Sequence, residues 1–327
     1  MRVVFLGSGA FGLPTLGALA SRHEVCAVVS QPDRPAGRRK KPSPTPVSAW
    51  AAEHLPDAPL IRPENANDLG VIEELRSLDA DAWVVIAFGQ KLSRDLLTRS
   101  DGSDQFACNL HASLLPRWRG AAPIHRAILA GDEVTGNSVI TIAQRMDAGA
   151  VLATTERRID PDMTAGELHD ALADDGPAAV LRVLDELAAG TLRGEEQDES
   201  AVTLAKKLSR ADAWVDFAEP AADVRRRVHG LTPWPGVSVG FRGEPVKLLR
   251  VRVAEAIGAG SEEGGGAPVS PGEIVDPAAG RVACGGGSVV EVADVQPAGK
   301  KPMAWPAFAN GRGVERGEKL EGGAAVC

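Results

Sequence analysis

The chain has no run of about 18 apolar residues, which excludes a membrane-spanning helix. It has little cysteine. The four present (Cys26, Cys108, Cys284, Cys327) show no CxxC or other ligand spacing, which argues against a disulfide framework and a structural metal site. Cationic excess is also missing. Lys+Arg total 36 against 44 Asp+Glu, a net charge of −8, so nucleic acid would not be bound by bulk charge, although a local basic patch stays possible. The opening MRVVFLGSGAFG runs straight into a strand-and-turn pattern and lacks the shape of a secretory signal. A reduced, cytoplasmic protein without metal or membrane contact is expected.

At 327 residues the chain exceeds one typical core, so two domains are expected. Apolar residues make up 44% and charged residues 24%, ordinary for a globular protein. Apolar runs at Arg2–Leu6, Glu24–Ser30 and Ala82–Ala87 read as buried parallel strands, with helices over Leu13–Leu19, Val47–Leu55 and Asp68–Leu78. A helix from Gln90 to about Thr98, a strand at Phe106–Leu110, a helix at Ala122–Ala130 and strands at Ser138–Ala143 and Val151–Glu156 continue the pattern. Thr164–Ala189 reads as helix broken near Asp175-Gly176-Pro177. This alternation predicts an open α/β sheet over residues 1–190, with ligands beyond the carboxyl ends of the strands. Gly7, Gly9 and Gly12 match a dinucleotide fingerprint, but Asp33 is poorly placed as its acidic partner, and a tight strand-to-helix turn is the simpler reading.

Residues 191–207 are polar and read as a linker. From 208 to 327, a helix at Ala222–Val228 is followed by short strands at Val237–Phe241, Val246–Val253, Gly272–Val275, Arg281–Ala283 and Val289–Val295, which predicts a smaller all-β barrel. Its 14 cations and 15 anions leave it near neutral, so most of the −8 lies before it. Arg34–Pro46 (RPAGRRKKPSPTP) differs in kind: five cations and four prolines without apolar periodicity predict an exposed loop, neither helix nor strand. It is either a solvated charge run or an arm for phosphates.

The stretch Asn109–Asp147 concentrates useful chemistry. Asn109 and His111 are two apart at a strand end, so both side chains point to one side. An Asn amide can donate to a developing oxyanion, and a His can donate or shuttle a proton. Asp147, near Gly149, can return to the site and fix the His tautomer. No activated nucleophile is in sight: Ser113 lacks a local base, and Cys108 points the other way into packing. The set suits direct transfer, in which the substrate brings its own nucleophile.

Ser113-Leu114-Leu115-Pro116-Arg117-Trp118-Arg119-Gly120 resembles the SLLP-aromatic-RG signature of the folate-dependent formyltransferases, whose catalytic Asn, His and Asp match Asn109, His111 and Asp147. Gln31–Lys41, Gln197-Asp198-Glu199, Lys207-Leu208-Ser209, Pro233-Trp234-Pro235 and Gln296–Lys301 resemble further landmarks, in order along both domains, of the branch that formylates an aminoacylated tRNA. The resemblance implies a Rossmann-like catalytic domain and an OB-fold-like barrel. It implies 10-formyltetrahydrofolate as donor and the α-amino group of methionine on initiator tRNA as acceptor, with the protein working as a monomer. Folate contacts are expected from Phe88, Gly89, Gln90, Ser113, Leu114, Leu115, Pro116, Met146 and Gly149, and tRNA contacts from Arg34, Arg38, Arg39, Lys40, Lys41, Lys206, Lys207, Lys300 and Lys301. Arg225, Arg226 and Arg227 are further candidates for a tRNA-facing surface. The alternative is an acceptor that is a small amine, such as a nucleotide sugar, which would need neither the basic segment nor the second domain.

Three departures stand out. The family's usual Tyr is Phe88 here, in a chain without any tyrosine; that is harmless if the site works through backbone groups. The usual LDTGD is Met146-Asp147-Ala148-Gly149-Ala150, without the second Asp. The usual Asn before PWP is Thr232.

Overall fold

The computed structural model describes residues 1–36, 41–255 and 269–323. Arg38, Arg39 and Lys40, expected at the tRNA, lie outside the described residues. The chain forms two compact units, Met1–Gly120 with Thr135–Arg157 and His169–Leu204, and Ala121–Val134 with Arg158–Leu168 and Ala205–Cys327.

In chain order the strands are β1 (Arg2–Gly7), β2 (Glu24–Val29), β3 (Arg34–Ala36), β4 (Lys41–Ser43), β5 (Leu60–Ile61), β6 (Ala82–Ile86), β7 (Ala107–His111), β8 (Arg119–Gly120), β9 (Val134–Thr141) and β10 (Val151–Arg158). They continue with β11 (Leu204–Ala205), β12 (Val237–Phe241), β13 (Glu244–Ala254), β14 (Ile274–Asp276), β15 (Arg281–Ala283), β16 (Val289–Pro297) and β17 (Met303–Ala304). The helices are α1 (Leu13–Arg22), α2 (Pro46–His54), α3 (Leu69–Ser77), α4 (Pro123–Ala130), α5 (Ala165–Ala188), α6 (Ala221–Gly230) and α7 (Trp305–Arg312).

The first unit is built on a seven-stranded sheet of order β10-β9-β7-β6-β1-β2-β5. Neighbours from β7 through β5 run parallel, and β9 joins β7 antiparallel. The unbroken apolar runs of β1 and β6 suit strands covered on both faces: Val3–Leu6 and Ala82–Ile86 are all buried. Val4, Leu6, Ile72, Leu75, Trp83, Phe88 and Leu96 share one core cluster; each full burial of such a side chain is worth about 1.5–3 kcal/mol. The glycines after β1 answer to packing. A Cβ on Gly7 would come 2.5 Å from the Phe5 ring and 2.8 Å from the Ile86 carbonyl, and one on Gly12 would come 2.9 Å from Phe5. The mostly parallel, Rossmann-like sheet is as expected.

The second unit carries the expected all-β domain, an antiparallel sheet ordered β12-β13-β16-β15-β14, with β17 on β16. Val228, Val239, Leu248, Val292, Trp305 and Phe308 fill its core. Helix α7 and strand β17 were not legible in the sequence. Among the described residues, no helix is long and apolar enough to cross a membrane.

Three expectations are corrected. The 34–46 segment contains strand: β3 and β4 pair antiparallel, Arg34 opposite Ser43 and Pro35 opposite Pro42. A two-stranded ribbon, with no further strand to donate to, tolerates proline that a sheet interior would reject. The helix proposed after Gln90 is instead a set of turns around Arg94–Leu97. Side chains take its backbone groups: Asn67 binds Lys91 O and Ser93 N, Ser93 Oγ accepts from Leu96 N, and Arg76 binds the carbonyls of Asp95 and Thr98. Finally, α5 runs 24 residues straight through Pro177. An interior proline costs about 3 kcal/mol, but Arg157 grips Asp175 with two bonds of 2.6 and 2.7 Å, and Gly176 approaches so closely that a Cβ would lie 2.6 Å from Leu110.

His229, in α6, is buried and neutral in one tautomer. The Val251 N–H donates to Nε2 (3.1 Å), so Nδ1 carries the proton and faces Pro161 O at 3.3 Å. Burial lowers its pKa below 6.5, against the Pro161 carbonyl and Asp162, while Arg250 and Arg225 push it down further. The unfolded chain therefore takes a proton near pH 6.5 that the folded unit refuses, so this contribution is complete above that pH and declines as pH falls below it. We expect the thermal midpoint to drop from pH 7.5 to 5.5, and the drop to shrink in His229→Gln, even though that variant starts less stable. Parallel pH profiles for the two proteins would remove His229 as the cause.

Candidate active site

Strand β7 delivers the central side chains. Asn109, half-buried, lies opposite Ile140 of β9, and His111 opposite Ser138. Cys108, on the other face, is fully buried, and burial pushes its pKa up to about 12, so no thiolate is available there. Ser113 is fully buried as well, and its hydroxyl donates to Arg117 O at 2.6 Å, closing the turn after β7.

The state of His111 follows from its partners. Nε2 lies 2.9 Å from the Trp118 carbonyl, which can only accept, so Nε2 carries a hydrogen. The nitrogen left to gain or lose a proton is Nδ1, and it faces Asp147 Oδ2 at 3.7 Å. That carboxylate oxygen also accepts the Gly120 N–H at 2.9 Å. Asn109, His111 and Asp147 thus belong to one unit, and the His and Asp face one another. Asp147 reaches this position with φ at +53°, in the left-handed region.

Residues between 195 and 205, read from sequence as linker, pass through the site. Gln197 donates to Asp147 O (2.8 Å) and Gly149 O (2.7 Å) and accepts from Arg119 Nε (2.9 Å). Arg119, 4% exposed, reaches Glu199 at 2.9 Å, and Arg145 pairs with the same carboxylate. Hydrogen bonds from Arg119 and Arg145 hold the Glu199 pKa below its ordinary value. Thr203 accepts the Trp118 and Arg119 N–H groups through its hydroxyl and its carbonyl. Gln197-Asp198-Glu199 had stood out in the sequence only as a family landmark; nothing in its spacing tied it to Arg119 or Asp147.

The expected folate residues divide. Phe88 is buried, and its carbonyl accepts from Ser8 Oγ (3.2 Å) and Gln31 Nε2 (3.1 Å). This backbone role needs no ring hydroxyl, so phenylalanine serves where tyrosine is usual. Gly89 has φ +85°, and Gln90 ties its loop to Ala66 N and Pro63 O. Leu115 N donates to Ser138 Oγ; Leu114 and Pro116 are half-buried, Gly149 is buried and Met146 is 74% exposed. A cavity of about 910 Å³ opens beside β7, with Leu92, Leu97, Phe106 and Ile142 as apolar walls and Asn67, Lys91, Arg94 and Gln144 as polar ones. None of the nine sequence-named folate residues lines it. Most of its walls come from the turns mistaken for helix and from the end of β9, which carry no motif, and the rest from Asn67 and the approach to β7.

Among the expected tRNA contacts, Arg34 is exposed on β3 and pairs with Glu64 at 2.5 Å. Lys41, Lys206, Lys207, Lys300 and Lys301 are exposed. The arginines of α6 are engaged locally. Arg226 pairs with Asp223 at 2.9 Å, and Arg227 stacks 3.7 Å over Trp214 while binding the Trp214 and Asp212 carbonyls. Thr232, where the family has Asn, caps α6 by donating to Val228 O.

Comparison with known proteins gives the following. The formyl transferase family matches residues 1–184, and the formyl transferase C-terminal domain matches residues 207–313. A methionyl-tRNA formyltransferase of Cereibacter sphaeroides is 42% identical over 317 residues, covering 97% of this chain and 98% of its own length. That of Paracoccus denitrificans is 42% identical over 322 residues, covering 98% and 100%. In fold, the chain is similar to WlaRD, a sugar 3N-formyl transferase (TM-score 0.63, 12% identity, 92% of this chain and 99% of that one). It is also similar to HypX from Aquifex aeolicus in complex with tetrahydrofolic acid (TM-score 0.60, 17% identity, 94% and 47%).

Gly149 has a packing duty in addition to any ligand contact. A Cβ there would stand 1.8 Å from the Thr141 carbonyl oxygen. Gly149→Ala should therefore shift the backbone and cost about 1–3 kcal/mol, the usual range for overpacking. Denaturant unfolding checks this; unchanged stability with weakened folate binding would assign the glycine to the ligand alone.

Proposed function

The chain belongs to the formyl transferase family, and we propose that it moves a formyl group from 10-formyltetrahydrofolate to the α-amino group of methionine on initiator tRNA. The observation that carries this is the likeness to methionyl-tRNA formyltransferases along nearly the whole length of both chains, second domain included. On this reading residues 1–190 perform the transfer, 191–207 link the two domains and lend Gln197 and Glu199 to the site, and 208–327 help hold the tRNA through an OB-like domain. The protein works as a monomer in the cytoplasm.

The cavity beside β7 is the proposed seat of the folate. Its size and its mix of apolar walls with a few polar groups suit a drug-sized ligand. Lys91, Arg94 and Gln144 would then serve alongside, or in place of, the residues named from the family. The Asn109 amide and His111 stand on one face of β7, where the amide can donate to the oxygen of a formyl carbon under attack by an amine. His111 can do so through Nδ1 once that nitrogen has taken a proton, its Nε2–H being held by the Trp118 carbonyl. Groups aimed at developing charge in this way are commonly worth a factor of 10²–10³ in rate. Making the amide removes a proton from the amine and returns one to the departing nitrogen of the donor. His111 Nδ1 and the Asp147 carboxylate, 3.7 Å apart, are the groups proposed to carry it.

Arg34 and Lys41 on the ribbon, together with Arg38, Arg39 and Lys40, are proposed to meet the acceptor end of the tRNA. Lys206, Lys207, Lys300 and Lys301 are proposed to meet its phosphates. Such contacts make affinity salt-dependent without reading sequence.

The deciding assay is formyl transfer to methionyl initiator tRNA with elongator methionyl-tRNA as control. Transfer to both alike, or to neither, would defeat the proposal. His111→Ala and Asp147→Asn should each lower kcat by roughly 10²- to 10⁴-fold, the range for general acid–base groups, with tRNA affinity retained. Arg38→Ala should act the other way round, raising KM for tRNA. Full turnover in Asp147→Asn would remove that residue from the chemistry.

A further inference from the structure

The Asp147 turn raises a question that the proposed chemistry does not answer. A non-glycine residue at φ +53° persists only where surrounding contacts hold it. Its own carboxylate cannot do this alone, because Oδ2 is already shared between Gly120 N and the approach to His111. The main chain on either side must be fixed by something else.

Gln197 meets that need. Its amide nitrogen has two hydrogens, and it binds two carbonyls, those of Asp147 and Gly149, which flank Ala148. Its amide oxygen accepts from Arg119 Nε. Both orientations are dictated by the partners, because carbonyls only accept and a guanidinium only donates. Arg119 in turn is buried, and its backbone follows Trp118, whose carbonyl binds His111, and precedes Gly120, whose N–H binds Asp147. One side chain thus joins the main chain beneath the carboxylate to the loop that holds the imidazole.

We infer that Gln197 is a positioning residue of the transfer site, holding the Asp147 carboxylate toward His111 through the carbonyls of Asp147 and Gly149. It acts only through Asp147, and its effect on rate rests on the transfer reaction proposed above.

Two variants of the full chain test it. Gln197→Met keeps the length and removes all three bonds; Gln197→Glu keeps an acceptor for Arg119 and sets oxygen against the two carbonyls. Each should lower kcat roughly 10- to 100-fold, the scale of a small misplacement at a reacting centre, with KM for tRNA and for folate little changed. In an Asp147→Asn background the same substitution should lower kcat by less than about twofold, because coupled groups are not additive. A readout independent of activity is hydrogen exchange at the Gly120 amide, which should speed up about tenfold or more, while amides of Val4–Leu6 in β1 stay protected and report an intact fold. Undiminished kcat in both variants, an equal loss in the Asp147→Asn background, or unchanged Gly120 exchange would each overturn the inference. If the wild-type chain transfers no formyl group at all, the proposed reaction fails, and the Gly120 exchange rate alone decides whether Gln197 positions Asp147.

Discussion

The left-handed backbone at Asp147 is the constraint on which the site depends. Such a conformation costs a non-glycine residue about 1–3 kcal/mol, and it is accepted because it turns a carboxylate back toward β7. The cost is offset locally. Gly120 N binds the carboxylate, Gln197 binds the carbonyls of Asp147 and Gly149, and Thr141 Oγ1 accepts the Ala150 N–H just beyond. Gly149 has to be glycine for the same turn to pass the Thr141 carbonyl. The Asp-x-Gly spacing is therefore a backbone solution as much as a chemical one, and the absence of a second Asp at Ala150 leaves it standing.

The sheet supplies the other half of the geometry. Strand β7 has a parallel neighbour, β6, on one side and an antiparallel one, β9, on the other. Because β9 returns along β7, its far end, Thr141–Gln144, comes beside the start of β7 and walls the cavity, while Ser138 lies opposite His111. The same strand pair thus carries the face that bears Asn109 and His111 and one wall of the cavity. A fully parallel arrangement would set the chain after β9 at the other end of β7.

How much of this was legible depended on whether the determining contact was local. The parallel strands could be read because burial on both faces leaves unbroken apolar runs such as Val3–Leu6. Asn109 and His111 could be aligned because the two-residue period of a strand is local. The turns after Gln90 were misread because an apolar helical pattern there is overruled by Asn67 and Arg76, which lie 26 and 22 residues from the groups they bind. The break expected at Pro177 failed for a similar reason, through Arg157 and Leu110. Gln197 was the least legible of all. Its partners are 78 and 50 residues away, and the segment around it is polar enough to pass for solvent-exposed linker.

Burial also explains how an anionic chain keeps cations for different uses. Arg119 is 4% exposed; its charge is paired with Glu199 and its Nε with Gln197, and removing Glu199 would leave a buried charge without its carboxylate. Arg34, with a side chain 62% exposed, holds Glu64 in a pair of the kind worth at most about 1 kcal/mol in water. Exchanging that carboxylate for a phosphate costs little, and the prolines opposite one another in β3 and β4 leave the ribbon without a full ladder to defend. The buried arginine can only build the site, whereas the exposed one remains free to change partners. Net charge counts both alike, so the total of −8 says little about which surface can meet an RNA.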